Sequence, residues 1–581
     1  MGKRTTIGLI LLIICGTLIG NYNNKQIVTC TSTSPADYKV HSEGIYLNNS
    51  WTKDLHIDNN SPHYADLNGD GYYDIVFSIG FELYCLNGKD GSQLWKAAES
   101  SSYITFSSPC VVDIDNDSRL EVIVLGNEMS GSDTIYCYDH EGNDEWTRRL
   151  PVYYGNYPFH SSTPCVGDIN FDGALEIIIG TRYGLICYDT SDYSIKEYKI
   201  DHEVYSSPSL LNVDGDANYE IIFTCSDEYI YCLDDDFSLR WKTAMIGSPI
   251  SAGSSPVVYD INSDGKHEIF VGTGDRFCSY APNGTLLWSY NCPDEFNGFE
   301  GTPAIANIDS CGPVEILIHS NYDTLYCFSE AGQLNWTYVG VGSHMTSSTP
   351  ILANIDGNDW LEVIIIGDEL ACISKNGFEI FIEDIEHWSF ANPLVGDFDA
   401  DGINEIFYSE YLDTIYCQKV LDSNFNSSQE SGICAWPCYK GSNYHTGNGD
   451  YDGDMLDQLT EAFYNTNKSI ADTDSDQFDD GWEIMVGLNP LVDDAFDDLD
   501  NDNLTNYIEA KIYHTSVFNP DTDGDGMNDG DEIAIGRDPL VIENETSLPT
   551  DFTFIFPVEN IYAILFASIA LIVIIKRKRN K

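Results

Sequence analysis

Acidic side chains recur along this chain in short clusters that alternate with other residues. The clearest cluster is Asp260-x-Asn262-x-Asp264-Gly265-x-x-Glu268, with oxygen ligands at positions 1, 3 and 5, glycine at position 6 and a carboxylate at position 9. Such a loop can wrap one hard cation with side-chain oxygens and a backbone carbonyl, and the glycine permits the tight turn. The pattern therefore predicts calcium sites.

The same pattern occurs eight times, with differing completeness. Three copies are complete, the first ends in Asp, the second lacks the glycine, and two carry Asn in place of Asp. One Asp-Gly cluster is more often only a turn, but eight in register favour metal binding. The predicted ligands are Asp66, Asn68, Asp70, Asp74, Asp113, Asp115, Asp117, Glu121, Asp168, Asn170, Asp172, Glu176, Asn212, Asp214, Asp216, Glu220, Asp260, Asn262, Asp264, Glu268, Asn354, Asp356, Asn358, Glu362, Asp397, Asp399, Asp401 and Glu405. The copy that starts at Asn307 has Cys311 at position 5 and is not counted among them.

Each cluster belongs to a repeat of 43 to 55 residues that starts near a proline. The repeat contains short β-type runs separated by turn residues, and this period is typical of a propeller built from four-stranded blades. We therefore expect a mainly β protein with an eight-bladed β-propeller over residues 44–447; a seven-bladed ring is the alternative. The prolines are Pro62, Pro109, Pro164, Pro208, Pro256, Pro303, Pro350 and Pro393.

The two ends of the repeat region predict how the ring closes. The last repeat lacks a Gly-x-x-x-Trp strand, whereas one precedes the first repeat at Gly44 to Trp51. The N-terminal strand would then complete the last blade and pair edges that would otherwise be exposed. The expected fourth-strand aromatic residues are Trp51, Trp95, Trp146, Tyr198, Trp241, Trp288, Trp336 and Phe381.

Eight of the 17 cysteines hold one position of the repeat. Equivalent positions on neighbouring blades lie about 10 Å apart, too far for a disulfide. We expect these cysteines to be small buried side chains between sheets. Cys434 with Cys438, and Cys292 with Cys311, are candidate disulfides. The eight repeat cysteines are Cys85, Cys137, Cys187, Cys232, Cys278, Cys327, Cys372 and Cys417.

These repeats resemble the FG-GAP/VCBS propeller family, which includes the integrin α-subunit head and calcium-stabilised lyases with eight blades. The resemblance covers roughly residues 44 to 420 and implies the propeller fold and its calcium loops. It implies little about activity, because this scaffold supports adhesion, sugar binding and catalysis. One departure is that Tyr-Cys replaces much of the Phe-Gly…Gly-Ala-Pro pattern.

Residues 450–540 carry a different acidic pattern, with Asp at positions 1, 3 and 5 and Glu at position 12. Glu at position 12 can supply a bidentate calcium ligand. This segment resembles thrombospondin type 3 or dockerin-type calcium repeats, which implies a calcium-stiffened stalk; an acidic disordered linker is the alternative. The predicted ligands are Asp450, Asp452, Asp454, Glu461, Asp472, Asp474, Asp476, Glu483, Asp498, Asp500, Asp502, Glu509, Asp521, Asp523, Asp525 and Glu532.

Sequence features at both ends of the chain predict that the protein is targeted to a membrane. Residues 1–20 are typical of a secretory signal peptide, with Lys3 and Arg4 ahead of an apolar run. Residues 558–575 form an apolar stretch just long enough to span a bilayer, and the basic tail 576–581 places this end in the cytoplasm. We expect a single-pass cell-surface protein, with residues 541–557 linking the stalk to its anchor.

The charge and composition of the chain exclude some classes of binding partner. Lys and Arg number 28 against 93 Asp and Glu, a formal charge of -65, which argues against a nucleic-acid partner. General disorder is excluded by 13% aromatic and 43% apolar residues in regular strand patterns. Glycosylation sequons begin at Asn48, Asn283, Asn335, Asn467 and Asn544.

The whole pattern favours a calcium-stabilised cell-surface binding or adhesion protein whose ligand is an extracellular protein or glycan. An enzyme is the first alternative, either a calcium-dependent polysaccharide lyase or a quinoprotein-like enzyme. A lyase needs basic groups at the substrate carboxylate. A structural surface-coat subunit is the second alternative. No recognisable catalytic constellation is formed by the candidate basic residues Arg148, Arg149, Arg182, His160, His344 and His387.

Overall fold

The computed structural model describes residues 45–540 except for internal gaps. The gaps are 56–60, 80–81, 99–101, 104–106, 116–118, 129–132, 151–161, 214–217, 248–253, 263–265, 294–297, 310–312, 322–323, 341–347, 356–359, 386–388, 390, 400, 402, 411–413, 423–455, 457–459, 462–463, 465, 468–469, 487, 514, 523–525, 536 and 538.

Eight antiparallel sheets follow one another along the chain. Blade 1 contains β2 to β5 (His63–Ala65, Asp74–Ile79, Glu82–Asn87, Gln93–Ala98), and blade 2 contains β7 to β10 (Cys110–Val112, Glu121–Glu128, Asp133–Tyr138, Asp144–Arg149) with the short β6 (Ser102–Tyr103) beside β8. Blade 3 contains β11 to β14 (Cys165–Gly167, Glu176–Thr181, Gly184–Asp189, Ile195–Lys199), and blade 4 contains β15 to β18 (Ser209–Leu211, Glu220–Cys225, Tyr229–Leu233, Leu239–Ala244).

The remaining blades repeat the same order of strands. Blade 5 contains β19 to β22 (Val257–Tyr259, Glu268–Gly272, Arg276–Tyr280, Leu286–Asn291), and blade 6 contains β23 to β26 (Ala304–Ala306, Glu315–His319, Thr324–Ser329, Leu334–Val339). Blade 7 contains β27 to β30 (Ile351–Ala353, Glu362–Ile366, Glu369–Ile373, Glu379–Asp384). Blade 8 contains β31 to β33 (Leu394–Gly396, Glu405–Ser409, Ile415–Asp422) and the N-terminal β1 (Ile45–Lys53).

The N-terminal strand closes the ring as the sequence predicts. Strand β1 pairs antiparallel with β33, and Trp51 lies opposite Cys417. Tyr64 and Ile75 of blade 1 share one buried cluster with Leu394 of blade 8. The eight-bladed expectation is confirmed, and the seven-bladed alternative is wrong, because every repeat forms its own sheet.

Burial follows the position of each strand within its blade. The second strands are apolar and buried throughout, as in Glu176–Thr181, because each packs between two neighbouring sheets. The outermost strands face water, and Asp144–Arg149 exposes every residue except the half-buried Trp146. The core therefore lies between blades, and it depends on neighbouring repeats rather than on one repeat alone.

A buried belt of hydrogen bonds links the first strands around the ring. The residue before each repeat proline is Ser, Thr or Asn. Its N–H donates to the side chain of the same residue one blade on at Ser61 (to Ser108 Oγ, 2.9 Å), Thr163 (to Ser207 Oγ, 2.9 Å) and Ser207 (to Ser255 Oγ, 2.9 Å). Asn392 closes the belt, accepting from Thr349 N at 2.7 Å and donating to Ser61 Oγ at 2.6 Å.

The outer strands are joined by an indole of one blade that lies under a turn of the next blade. Trp51 Nε1 donates to Gly88 O at 2.6 Å, and Trp336 Nε1 donates to Lys375 O at 2.8 Å. In blade 3 the expected aromatic is displaced, since Tyr198 pairs with Leu185 and Lys196 stands opposite the cysteine. Lys196 Nζ takes over the bond between blades, to Asp235 O at 3.3 Å.

The repeat cysteines occupy the same position of the third strand in seven of the eight blades, and the prediction for Cys278 in blade 5 is wrong by one residue. In seven blades the cysteine lies opposite the second-strand residue two places after position 9 of the loop, as Cys85 lies opposite Val76. In blade 5 that place belongs to Ser279, opposite Phe270, and Cys278 precedes it by one residue. The twelve described cysteines are all free, and eleven are buried, as expected for thiols packed between sheets. Cys311, Cys434 and Cys438, needed for the candidate disulfides, lie outside the described residues.

The chain divides into two compact units at Phe496 and Asp497. The first unit holds the propeller and α1 (Asp480–Val486); the second holds α2 (Asn506–Ile508), a π-helical turn (Glu509–Tyr513) and α3 (Asp529–Ile535). Within the described residues, no helix has the length and apolar character needed to cross a bilayer. The predicted signal peptide, linker, anchor and tail lie outside the described residues.

Candidate metal centres

The eight propeller loops lie on one face of the ring. Each loop connects the first and second strands of its blade, and antiparallel pairing puts this connection at the same end of every sheet. The turns between third and fourth strands share that end. This face therefore collects the acidic clusters of all eight repeats.

The side chain at position 9 closes every loop in the same way. One of its oxygens accepts the backbone N–H of position 2, as Glu176 Oε2 does from Ile169 N at 2.8 Å and Asp74 Oδ2 does from Leu67 N at 3.1 Å. The bond recurs in the other six loops, with acceptors Glu121, Glu220, Glu268, Glu315, Glu362 and Glu405. The second oxygen of each carboxylate takes no part in this bond, and in blade 3 that oxygen, Glu176 Oε1, accepts from Asn170 Nδ2 at 2.9 Å.

The side chain at position 1 organises the rest of the loop. In blade 1, Asp66 Oδ1 accepts Gly69 N at 2.8 Å, and Asp66 Oδ2 accepts Gly71 N at 2.9 Å. Asp70 Oδ2 accepts from Asn68 Nδ2 at 3.0 Å. Backbone bonds therefore hold these oxygens close together, although each carries negative charge when ionised.

Carboxylate oxygens converge to within 4.8 Å of one another in propeller loops that include those of blades 2, 3 and 8. Blade 2 brings together Asp113, Asp115 and Glu121, and blade 8 brings together Asp397, Asp399 and Glu405. These groups contain predicted ligands, and oxygen clusters of this kind could hold a metal ion.

Blade 3 adds a residue that the loop pattern does not contain. Asp172 and Glu176 are joined by Asp189, which ends the third strand and lies directly opposite Glu176. Both Asp189 and Glu176 are buried. The sequence signal for Asp189 exists, since it follows the repeat cysteine Cys187 by two residues, but its significance depends on the strand register.

Two loops contain a cation from the chain itself. In blade 8, Lys419 Nζ lies 2.8 Å from Asp399 Oδ2 and 3.3 Å from Glu405 Oε1, and it also bonds Asp401. In blade 4, Arg240 Nη2 lies 3.1 Å from Glu220 Oε1. Neither basic residue belongs to the acidic pattern from which the ligands were predicted.

The remaining propeller loops are described in part. Asn262 Nδ2 donates to Glu268 Oε1 at 3.2 Å in blade 5, and Asn354 and Glu362 are buried in blade 7. Glu315 is the half-buried exception among the position 9 carboxylates, and its loop is the one without a position 5 oxygen. The predicted ligands outside the described residues are Asp117, Asp214, Asp216, Asp264, Asp356 and Asn358.

The loop at Asp472 repeats the propeller geometry and adds a helix. Position 9 is Asp480, whose Oδ1 accepts Thr473 N at 2.8 Å and which begins α1. Glu483 at position 12 lies one helical turn later, so it faces the loop. Asp494 also joins Asp476 and Glu483 within 4.8 Å, an addition that the sequence pattern does not predict. Both oxygens of the fully buried Glu483 lack a hydrogen-bond partner.

The second unit repeats this arrangement. Glu509 is fully buried with both oxygens unpartnered, and Asp502 Oδ2 accepts Gly530 N at 2.9 Å. Thr522 N donates to Asp529 Oδ1 at 2.9 Å at the start of the last loop, and Glu532 is buried. Glu461 is buried in the first unit. Asp450, Asp452, Asp454, Asp523 and Asp525 lie outside the described residues.

Burial and mutual repulsion raise the pKa of these carboxyls. Burial, with a smaller contribution from neighbouring carboxylates, raises the pKa of Glu121, Glu176 and Glu405 from 4.5 to about 8. Burial beside Asp474 and Asp476 raises the pKa of Glu483 to about 9, and burial beside Asp500 raises that of Glu509 to about 8. The folded chain therefore favours either protons or a bound cation at these oxygens.

The described candidates for catalysis have structural contacts. Arg148 Nη2 donates to Tyr193 O at 3.0 Å, and its guanidinium lies over the ring of Tyr188. Arg182 Nε lies 3.5 Å from Glu203 Oε1. His160, His344 and His387 lie outside the described residues.

The fold and its loops define a β-propeller with FG-GAP-like repeats. Residues 113–179, which contain the loops of blades 2 and 3, match the FG-GAP-like repeat family. No curated protein sequence matched this chain.

Three of the solved structures to which this chain is similar serve as comparisons. BamB from Moraxella catarrhalis is 11% identical with a TM-score of 0.42, covering 64% of this chain and 100% of that one. The V. cholerae biofilm matrix protein Bap1 is 14% identical with a TM-score of 0.40, covering 72% and 96%. Sqt1 from Saccharomyces cerevisiae is 12% identical with a TM-score of 0.46, covering 65% and 99%.

Proposed function

We propose that this chain is a calcium-stabilised binding or adhesion protein of the cell surface. The observation that carries the proposal is the convergence of buried carboxylate oxygens in loops of one repeated geometry. A carboxyl such as Glu176, with its pKa near 8 instead of 4.5, destabilises the folded state by on the order of 5 kcal/mol when it is held ionised. This cost is relieved either by a proton or by a bound cation, and a cation that bridges several of these oxygens relieves it for all of them at once.

Calcium is the cation that this donor set favours. The predicted ligands are carboxylates, amide oxygens and backbone carbonyls, which suit a hard cation, and the converging groups of blades 2, 3 and 8 consist of carboxylates. Asp74 Oδ1, Glu483 and Glu509 present buried oxygens without hydrogen-bond partners, which is the condition expected of ligands awaiting an ion.

The ligand of this propeller is a glycan or protein that meets the face carrying the acidic loops. A cavity of about 320 Å³ opens there between blades 2 and 3, lined by Asp113, Asp115, Trp146 and Tyr193 among others. Tyr193 is 62% exposed and occupies, with φ of 61°, a turn position that holds glycine in most other blades. An aromatic wall beside a metal loop suits a sugar, whose ring stacks on the indole and whose hydroxyls reach the ion.

Binding is tested with the purified full chain on a glycan array and in a cell-aggregation assay, each with and without calcium. We expect calcium-dependent binding that Trp146→Ala abolishes and that Trp360→Ala, a change at a partly exposed indole on blade 7, leaves intact. Blank results in both assays with calcium present would refute the proposal. Release of unsaturated product from uronic-acid polymers would replace it with a lyase.

The proposed location is the cell surface, with the propeller outside and one C-terminal helix in the membrane. Deletion of residues 558–581 should release the protein from membranes into the medium, whereas deletion of residues 577–581 alone should not. The four sequon asparagines that the structure describes, Asn48, Asn283, Asn335 and Asn467, are all exposed, as glycosylation requires. Retention of the 558–581 deletion in the membrane fraction would contradict this topology.

A further inference from the structure

In blades 1, 3 and 8 the third strand places one residue directly against the metal loop. This residue, called here the facing residue, comes two places after the cysteine position. Antiparallel pairing sets it opposite the position 9 acid: Asn87 lies opposite Asp74, Asp189 opposite Glu176, and Lys419 opposite Glu405. Side chains of such pairs lie close enough to interact directly.

The facing residue differs in charge between otherwise similar loops. In blade 1 it is an amide, and Asn87 Nδ2 donates to Asp70 Oδ2 at 2.8 Å. In blade 3 it is an acid, and its carboxylate lies within 4.8 Å of those of Asp172 and Glu176. In blade 8 it is a base. The predicted ligands of blades 3 and 8 differ only at position 3, which is Asn170 in blade 3 and Asp399 in blade 8. That difference is one unit of charge, whereas the facing residue differs by two, so the facing residue is the larger electrostatic difference between the two loops.

Blade 8 already holds a cation at the centre of its carboxylates. The Lys419 ammonium bonds Asp399 and Asp401 and lies 3.3 Å from Glu405 Oε1, the oxygen left over after Glu405 Oε2 has bonded Phe398 N. Its side chain is only 13% exposed. A divalent ion bound to the same oxygens would meet the repulsion of this ammonium, so the loop does not fit calcium.

In blade 3 the facing residue adds a negative charge to the loop carboxylates. Two carboxylates face each other across the strand pair, Asp189 is 7% exposed and Glu176 is fully buried. Like charges directly opposite destabilise a sheet. Asp189 Oδ1 accepts from Ser191 Oγ at 2.6 Å within its own turn. The second oxygen and the loop carboxylates then form a set that a divalent cation would neutralise.

We propose that the facing residue decides which propeller loops take a divalent ion: Asp189 completes the ligand set of blade 3, whereas Lys419 replaces the ion in blade 8. This inference rests on the proposed calcium binding. It removes Asp397, Asp399, Asp401 and Glu405 from the calcium ligands. In blade 4 the residue two places after the cysteine is Asp234, and a cation is supplied instead by Arg240 of the fourth strand, which reaches both Asp234 and Glu220 Oε1.

The test is reciprocal and counts calcium ions bound per full-length chain by equilibrium dialysis and native mass spectrometry. Lys419→Asp and Lys419→Met should each bind one ion more than the wild type, and Asp189→Lys one ion fewer. Lys419→Arg should keep the wild-type number. Matched controls with the same charge changes at exposed sites are Lys199→Asp and Asp192→Lys, and both should leave the number unchanged. An unchanged number in Lys419→Asp or Asp189→Lys would overturn the proposal.

Melting in calcium-free buffer with chelator separates this proposal from the proposed function. There Lys419→Met should melt several degrees below the wild type, because the carboxylates of blade 8 lose the ammonium that neutralises them, and Asp189→Lys should melt above it. If the wild type binds no calcium but these opposite shifts occur, the calcium role fails and the facing residue remains the counterion switch. If both variants melt like Lys199→Asp and Asp192→Lys, the proposal fails.

Discussion

The buried carboxylates predict an unusual dependence of stability on pH once calcium is removed. Glu121, Glu176 and Glu509 have pKa values raised to about 8 in the folded chain, and that of Glu483 is raised to about 9. In the unfolded chain they return to about 4.5. Between pH 4.5 and 8 the folded state therefore binds more protons than the unfolded state, and stability rises as the pH falls.

The slope of the unfolding free energy against pH follows from the number of groups that titrate. Each such group contributes up to about 1.4 kcal/mol per pH unit within this window. Several together would outweigh the usual loss of stability on mild acidification. With calcium bound, the same oxygens are neutralised by the ion, so stability should change little between pH 6 and 8 and fall below pH 6 as protons displace calcium.

The assay is the melting temperature of the full chain from pH 5 to 8.5, calcium-stripped and calcium-saturated. Glu483→Gln is the informative variant, because it removes the carboxyl with the highest pKa and keeps its shape. Without calcium at pH 8 the variant should be more stable than the wild type, and with calcium less stable. A calcium-stripped wild type that loses stability from pH 8 to pH 6 would refute this reasoning.

Further predictions concern the contacts between blades and the C-terminal repeats. Gly332→Ala should destabilise the protein by roughly 1–3 kcal/mol in denaturant titrations, because Gly332 has φ of 72° and a Cβ there would lie 2.4 Å from the Trp288 ring. Gly173→Ala in calcium-free buffer is the control, because Gly173 has a similar φ of 88° but no atom within 4 Å of an added Cβ, and equal losses would contradict the packing argument. Asn392→Ala should cost about 1–3 kcal/mol by opening the hydrogen-bonded belt, and Asn392→Thr should recover part of it; no difference between the two would show that the belt contributes little. Chelation should lower the melting temperature and expand residues 450–540 more than the propeller, seen by small-angle scattering; an unchanged hydrodynamic radius would contradict this.

Local patterns allowed most of the fold and the loop positions to be predicted. The repeat period predicted the blades. The absence of a fourth strand after Cys417 predicted that the N-terminal strand, which carries Trp51, completes the last blade. Both inferences depend on residues close together in sequence or on simple counting of strands. The loop geometry was also local, since position 2 and position 9 are bonded within nine residues of each other.

Pairing between distant strands explains what the patterns missed. Asp189 and Lys419 gain their importance only because the third strand places them against a carboxylate that lies 13 or 14 residues earlier in the chain. Lys196 replaces an indole because its register, rather than its residue type, puts it under the next blade. Ser279 holds a cysteine position for the same reason.

The sequence by itself determined that the chain forms an eight-membered ring of β-sheets with acidic loops on one face. The repeat period, the alternation of apolar residues and the ligand spacing are properties of short segments. They can be read from the sequence without knowing which strands or blades lie next to one another. Tertiary structure alone decided which loops already contain a positive charge and which carboxylates face one another. Those features arise where two strands or two blades meet, and the free energy of a buried charge is set by the groups around it.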